Sequence, residues 1–166
     1  MSNFKAELIS EKEIQDVLNK YPFLRSGLLP LLHLVQKKYW YVPKETAEII
    51  ARILSLSPTE VESVLSFYTM YRSIPAGENV IQVCTNISCS LEGSEDILGY
   101  LKERLKVKGG ETTSDGKFTL KTVECLGACG GAPVVQINDT YYENMTSAKL
   151  EEIVSKLEKE PQIKSA

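Results

Sequence analysis

The sequence contains no C-x-x-C motif, which dithiol oxidoreductases use for thiol–disulfide exchange. It also lacks the C-x2-C knuckles that are typical of structural zinc sites. No G-x-G-x-x-G fingerprint or other phosphate-binding loop is present, so the chain alone is not expected to bind a dinucleotide or a flavin. The first two absences count against redox-dithiol and zinc interpretations of its cysteines.

Basic clusters and long apolar runs are missing as well. The net charge is −3, and apart from the pair Lys37-Lys38 there is no block rich in lysine or arginine. Nucleic acid is therefore not an expected partner. No stretch approaches the roughly 20 apolar residues of a membrane helix, because the leucine run around residues 28–32 is short and interrupted by Pro30. We expect no direct membrane insertion.

Residues 1–7 have neither the regions of a secretory signal nor the arginine-rich character of a transit peptide. We therefore expect a cytoplasmic chain, in which thiols stay reduced and a disulfide framework is disfavoured. With 166 residues, 43% of them hydrophobic, the chain can form one domain, or a small domain with a helical extension. Its single histidine, His33, lies among leucines and is assigned no role.

The four cysteines form two pairs, and each pair follows a run typical of a β-strand. Cys84 and Cys89 are separated by four residues, Cys125 and Cys129 by three. Such loops can turn both sulfurs toward one metal, so the pairs together suggest a tetrathiolate site. The candidates are zinc, an iron–sulfur cluster, two disulfides and a redox dithiol. The spacings favour a [2Fe-2S] cluster, and we hypothesise that each pair holds one iron.

Glycines around the second cysteine pair favour the same interpretation. Gly127, Gly130 and Gly131 allow the backbone to approach closely and to adopt positive φ angles. We expect their N–H groups to surround the cluster and to face its negatively charged sulfides. The alternative is that these glycines only form turns. The segment after Cys89 is expected to begin a helix whose N–H groups also face the cluster.

The first half of the chain predicts a small bundle of four short helices. Capping patterns at Ser10-Glu13 and Ser57-Glu60, with apolar residues at helical spacing, mark two of the helices. The predicted helices lie at about 11–20, 28–39, 43–54 and 58–65. The aromatic segment Phe67–Tyr71 that follows is expected to belong to the core, with a partner surface as the alternative.

The second half predicts a β-α-β unit, then a β-hairpin turning at Asn138-Asp139, then a helix. Predicted strands lie at 80–83, within 111–124 with a bend at 115–116, at 134–137 and at 140–143; predicted helices run over 94–107 and from 146 or 147 onward. This order is that of a thioredoxin-like domain with a four-stranded mixed sheet, which places both cysteine loops at strand ends. The predicted fold class is α+β, with a helical bundle at 1–72, a linker at 73–77 and the thioredoxin-like domain at 78–166. Disorder is expected from about residue 160.

Several motifs together resemble one family. They are Phe67-Tyr68-Thr69-Met70-Tyr71, Pro75-Ala76-Gly77, Gln82-Val83-Cys84 with Cys89, Val123-Glu124-Cys125-Leu126-Gly127-Ala128-Cys129, Ala132-Pro133 and Gln136-Ile137-Asn138. With them the chain resembles the thioredoxin-like [2Fe-2S] ferredoxin subunits of NADH-quinone oxidoreductase, respiratory complex I. The likeness extends over nearly the whole chain, and all four ligand positions are present.

The resemblance implies a role in electron transfer. It implies that Cys84, Cys89, Cys125 and Cys129 bind one [2Fe-2S] cluster, which exchanges single electrons with FMN in a larger partner subunit. That partner also carries the NADH site and a [4Fe-4S] cluster, so the chain is an enzyme only as a subunit of NADH:quinone oxidoreductase. We expect the complex to hold it on the cytoplasmic side of the inner membrane.

Alternatives stay open beside this interpretation. Related subunits serve NAD-linked hydrogenases and formate dehydrogenases, where the cluster would have an equivalent role. A zinc-stabilised interaction domain would use the same cysteines as structural ligands. A thiol–disulfide oxidoreductase would use them as a redox dithiol. Iron and labile sulfide in equal amounts would favour the cluster, and stoichiometric zinc would favour the interaction domain.

Overall fold

A computed structural model describes residues 9–160 of the chain. Within this range the chain divides into two compact units, the first ending at Pro75 and the second beginning at Ala76. The division falls inside the segment predicted as a linker. The disorder predicted for the end of the chain concerns residues 161–166, which lie outside the described range.

Between residues 9 and 75 the first unit contains four helices and a 3-10 turn. These are α1 (Glu11–Leu18), α2 (Leu28–Tyr39), α3 (Lys44–Ile53) and α4 (Pro58–Phe67), with the turn at Leu24–Gly27. Ser10 and Ser57 each accept a hydrogen bond from the N–H of the glutamate three residues later, and that glutamate accepts one from the serine N–H. These capping boxes satisfy N–H groups that a helix start leaves unpaired. The four predicted helices are confirmed to within two residues at each end.

The core of the first unit is aliphatic, and a glutamine fixes the segment that follows α4. The apolar faces of α2, α3 and α4 are buried against one another, with Leu31, Leu32, Val35, Ile50 and Val61 among the residues they bury. The Gln36 side chain donates to the Met70 carbonyl at 2.7 Å and accepts from the Arg72 N–H at 2.7 Å. The chain beyond α4 is thereby tied to α2.

The expectation that the aromatic segment belongs to the core holds for Tyr71 and is wrong for Phe67. Tyr71 is only 5% exposed, its hydroxyl donates to the Leu29 carbonyl at 2.9 Å, and burial raises its pKa to about 12. Phe67 is 77% and Met70 44% exposed. The reason is that α4 ends at Phe67, and the turn after it directs only Tyr71 back into the bundle.

The second unit contains a four-stranded mixed sheet with helices between and after its strands. Its elements are β1 (Asn79–Cys84), α5 (Ile87–Leu91), α6 (Ser94–Leu105), β2 (Phe118–Val123), β3 (Val135–Ile137), β4 (Thr140–Tyr142) and α7 (Ser147–Lys159). The strand order is β2-β1-β3-β4, with β1 parallel to β2 and the other neighbours antiparallel. The predicted α+β fold is confirmed, and the short helix α5 is an addition to it.

Parallel pairing of β1 with β2 positions the two cysteine loops. Cys84 is the last residue of β1 and lies opposite Val123, the last residue of β2. Because parallel strands end at the same edge of a sheet, both loops leave the sheet side by side. Ile81, Val83 and Leu120 are fully buried, and a shift of one residue would turn them out of the core, so burial fixes this register.

Helices α6 and α7 are joined by an arginine that two glutamates share. Arg104 contacts Glu151 at 2.8 and 3.3 Å and Glu158 at 2.9 Å through two nitrogens. The hydroxyls of Tyr100 and Ser155 also donate to Glu151. Together these donors, Arg104 above all, lower the pKa of Glu151 to about 2.

Helices in the described range are all too short or too polar to cross a bilayer.

Candidate metal centre

The four cysteines are free thiols that differ in burial. Cys84 ends β1 and Cys89 lies within α5, and both are buried, at 2% and 1% exposure. Cys125 follows β2, and Cys129 begins a 3-10 turn over Cys129–Gly131; both are exposed. One pair therefore lies under the surface and the other at it.

The thiols interact with one another across the two loops. The Cys84 sulfur is in hydrogen-bonding contact with the thiols of Cys89 and Cys125, and Cys89 lies close enough to Cys129 for their charges to interact. No group of three or more histidine, cysteine or carboxylate side chains in residues 9–160 could hold a single metal ion as these side chains stand.

Backbone N–H groups point at three of the four sulfurs. Gly127 donates to the Cys125 sulfur at 3.3 Å; the other donations run from Asn86 and Leu126 to Cys84 and from Val134 to Cys89. N–H donors of this kind stabilise negative charge on thiolates and on the cluster that they hold. The sequence prediction anticipated Gly127 and missed the other three.

One of the missed donors has a signal in the sequence. Asn86 lies two residues after Cys84, just as Gly127 lies two residues after Cys125, so the spacing could have indicated it. Leu126 and Val134 act on cysteines of other segments, and only the tertiary fold brings them there. Their donation to Cys84 and Cys89 therefore had no signal in the sequence.

The pKa values of the two buried thiols are shifted in opposite directions. Burial raises the pKa of the Cys84 thiol, but donation from Asn86, Leu126 and the neighbouring thiols outweighs it, and the pKa is lowered. Burial also raises the pKa of Cys89, and the nearby Cys84 raises it further, with Val134 opposing only in part. The Cys84 thiolate therefore forms more readily than the Cys89 thiolate.

The three glycines of the second loop differ in what surrounds them. Gly127 has a φ of +74°, and a Cβ added there or at Gly130 would meet no atom within 4 Å. A Cβ at Gly131 would overlap the side chain of Glu143. Of these three glycines, Gly127 is the one whose N–H donates to a sulfur among the contacts described above. The predicted role of Gly130 and Gly131 around the cluster stays a prediction.

An apolar wall surrounds the buried thiols. Cys84 and Cys89 pack with the buried Val134 and with the partly buried Leu126, Ala128 and Ala132. The wall limits the access of water, which affects the potential of a redox centre. Thiols grouped across two loops, N–H donors and apolar surroundings fit a [2Fe-2S] cluster, which takes two thiolates at each iron.

A thioredoxin-like domain that groups four cysteines on two adjacent loops defines a class of electron carriers, the ferredoxins built on this fold. The family model for the thioredoxin-like [2Fe-2S] ferredoxin matches residues 14–158, and the chain belongs to this family. The predicted family and its cofactor, one [2Fe-2S] cluster, are thereby confirmed.

Curated relatives cover nearly the whole chain. An NADH-quinone oxidoreductase subunit of Rickettsia bellii is 44% identical over 160 residues, which span 95% of this chain and 96% of the relative. NADH-quinone oxidoreductase subunit 2 of Thermus thermophilus is 42% identical over 147 residues, covering 87% of this chain and 81% of the relative. The chain is thus similar to these subunits over both of its units.

A solved structure with a similar fold is the NAD+-reducing [NiFe]-hydrogenase in its air-oxidized state. The TM-score is 0.71 at 21% sequence identity, and the match covers 80% of this chain. It covers only 23% of the hydrogenase chain, so the likeness concerns about a quarter of that chain. At this identity the likeness shows the fold alone.

Proposed function

We propose that this chain is the electron-transfer subunit of the NADH-oxidising module of an NADH-quinone oxidoreductase, with its [2Fe-2S] cluster held by Cys84, Cys89, Cys125 and Cys129. The observation that carries the proposal is the meeting of the two cysteine loops at one edge of the sheet, where Cys84 and Cys89 of the first loop pack against Leu126 and Ala128 of the second. The identity of 42–44% to NADH-quinone oxidoreductase subunits supports the assignment to that complex.

Each pair of cysteines contributes differently to this function. The cluster supplies one-electron chemistry when it is bound. Cys84 and Cys89 would hold it from their buried positions in the apolar wall, and Cys125 and Cys129 would hold it at the surface. The N–H donors offset the negative charge of the thiolates, which favours the reduced state relative to a site without donors.

The proposed partner is a larger subunit that carries FMN, the NADH site and a [4Fe-4S] cluster. Exchange of electrons between proteins requires the two redox centres to approach closely, and the exposed cysteine pair permits this. Helix α5, which carries Cys89, also exposes Ile87 by 72% and Leu91 by 80%, and apolar surface of this kind is typical of protein contacts. With this partner, the chain would be peripheral on the cytoplasmic side of the inner membrane.

A second candidate is the equivalent subunit of an NAD-linked hydrogenase, because the NAD+-reducing hydrogenase contains a region of the same fold. A formate dehydrogenase subunit would be its counterpart. Both would keep the cluster and differ only in the parent complex. The higher identity to NADH-quinone oxidoreductase subunits places that complex first.

The test begins with metal analysis and EPR spectroscopy of the full chain, purified without air and reduced with dithionite. We expect two irons and two labile sulfides per chain and a single S = 1/2 signal. Stoichiometric zinc with no EPR signal would instead make the cysteines a structural zinc site and would refute the proposal.

Variants assign the ligands. Cys125→Ala and Cys129→Ala are expected to lower the iron and sulfide content and to change the visible spectrum. Thr122→Ala is a matched control, because it also removes a small side chain from an exposed position next to the loop. A spectrum unchanged in Cys129→Ala would remove this residue from the ligand set.

A further inference from the structure

Gly131 belongs to the turn that begins at Cys129 and has no room for a side chain. A Cβ at this position would lie 2.6 Å from the Cβ and Cδ atoms of Glu143, and nearer still to its carboxylate oxygen Oε2. Real Cβ atoms essentially never come within 3.0 Å of another heavy atom. The Glu143 side chain thus fills the space that any larger residue at 131 would need, and its carboxylate lies against the cysteine turn.

Main-chain hydrogen bonds hold Glu143 in this place. The N–H of Asn144 donates to the Gly131 carbonyl at 2.6 Å, and the N–H of Met145 donates to the Pro133 carbonyl at 3.0 Å. Met145 is buried, at 4% exposure, and anchors the segment in the core of the second unit. These bonds fix the main chain directly after Glu143, so the exposed Glu143 side chain starts from a defined position beside the cysteine turn.

The charge of Glu143 takes part in no ion pair within residues 9–160. The ion pairs found there join Arg25 to Glu60 and Arg104 to Glu151 and Glu158. A 3-10 turn rises about 2.0 Å per residue, so Gly131 lies about 4 Å along the turn from Cys129. The Glu143 carboxylate lies against Gly131, two residues after Cys129, so its charge is within about one Debye length, about 8 Å at physiological salt, of the cysteine turn, and the solvent screens it only in part.

We propose that the carboxylate of Glu143 lowers the reduction potential of the cluster held by the four cysteines. The inference rests on the proposed function. Reduction adds one electron and requires no bond or proton to move at Glu143. A fixed negative charge beside the cysteine turn disfavours this added charge, whereas the N–H donor at Gly127 favours it. The two groups thus act on the potential in opposite directions.

The test is a redox titration of the cluster-loaded full chain, followed by the EPR signal of the reduced state. Glu143→Gln keeps the shape of the side chain and removes its charge, so we expect a positive shift of the midpoint potential. Glu143→Lys should shift it further in the same direction. Glu143→Asp keeps the charge and should return the potential toward the wild-type value.

Glu103→Gln serves as the matched control. Glu103 is an exposed glutamate of the second unit. It lies on α6, about 14 Å along the helix axis from the start of α6, which is the end of the helix that follows the Cys89 segment. Its substitution removes the same charge from the same unit at a greater distance from the cysteine loops, so we expect no shift of the potential beyond the error of the titration. Iron and sulfide analysis accompanies every variant.

Three results would overturn the inference, and they are distinguishable. Equal potentials in Glu143→Gln and Glu103→Gln, both with a full cluster, would refute it and leave the proposed function intact. Loss of iron and sulfide from Glu143→Gln would assign Glu143 a structural role in the loop. A wild-type chain without iron and sulfide would refute both the inference and the proposed function.

Discussion

Gly127 and Gly130 offer a matched pair of alanine substitutions within one cysteine loop. An added Cβ meets no protein atom within 4 Å at either position, so neither alanine clashes with another part of the chain. They differ in backbone conformation, because Gly127 has a φ of +74° and Gly130 is outside the left-handed region. A comparison of the two isolates the cost of a left-handed backbone at Gly127.

The expected difference follows from the conformational preferences of L-residues. Both alanines restrict the unfolded chain equally, which by itself stabilises a protein by about 0.4–1 kcal/mol. Gly127→Ala must also adopt the left-handed conformation, which costs about 1–2 kcal/mol. We therefore expect the second unit of the Gly127→Ala variant to be less stable than that of Gly130→Ala by about 1–2 kcal/mol.

Hydrogen exchange measured by mass spectrometry on peptides from β2 and α7 gives the stability of the second unit alone. Both variants are compared at equal iron content, because bound cluster stabilises the folded state. Gly127 also donates to Cys125 at 3.3 Å, so a displaced backbone at this residue should lower the reduction potential. Equal stability of the two variants would refute the argument from the φ angle.

Three further predictions concern stability. Tyr71→Phe removes the hydrogen bond to the Leu29 carbonyl and should lower the free energy of unfolding of the first unit by about 1 kcal/mol, measured by urea denaturation with the single tryptophan as the probe. Gly77→Ala places a Cβ 2.8 Å from the main chain of β2 and should destabilise the second unit by about 1–3 kcal/mol; hydrogen exchange equal to wild type would contradict this. Glu151 has a pKa of about 2 in the folded protein against 4.5 ordinarily, so its stabilising contribution is complete above pH 4.5 and is lost as the pH falls toward 2. The melting temperature of wild type should therefore exceed that of Glu151→Gln at pH 6, and the two should become equal near pH 2. A difference in melting temperature that does not depend on pH would exclude the bond to Arg104 as its source.

Local sequence signals were sufficient for most of the fold. The capping serines Ser10 and Ser57 place two helix starts, because their hydrogen bonds involve only residues within one turn. The buried apolar run of β1, the alternation of apolar residues in β2 and the helix between them are enough to predict parallel pairing. That pairing brings Cys84 and Cys125 to the same edge, so the location of the site follows from topology.

Features that depend on distant contacts were not predictable in this way. Phe67 is as apolar as many core residues, and only the end of α4 and the turn after it explain why it is exposed. The contact of Glu143 with Gly131 joins residues twelve positions apart and has no signal in the sequence. Val134 donates to Cys89 only because the loop before β3 passes beside α5. Each case depends on structure that local sequence patterns do not encode.

The unequal burial of the two cysteine pairs has a consequence for how the cofactor enters and leaves the protein. Cys84 and Cys89 are shielded by the apolar wall, so we expect iron and sulfide to be delivered from the side of Cys125 and Cys129. Oxidants and alkylating reagents reach the same side first. Assembly and oxidative loss of the cluster would therefore share one route, and a partner protein covering that side would close it.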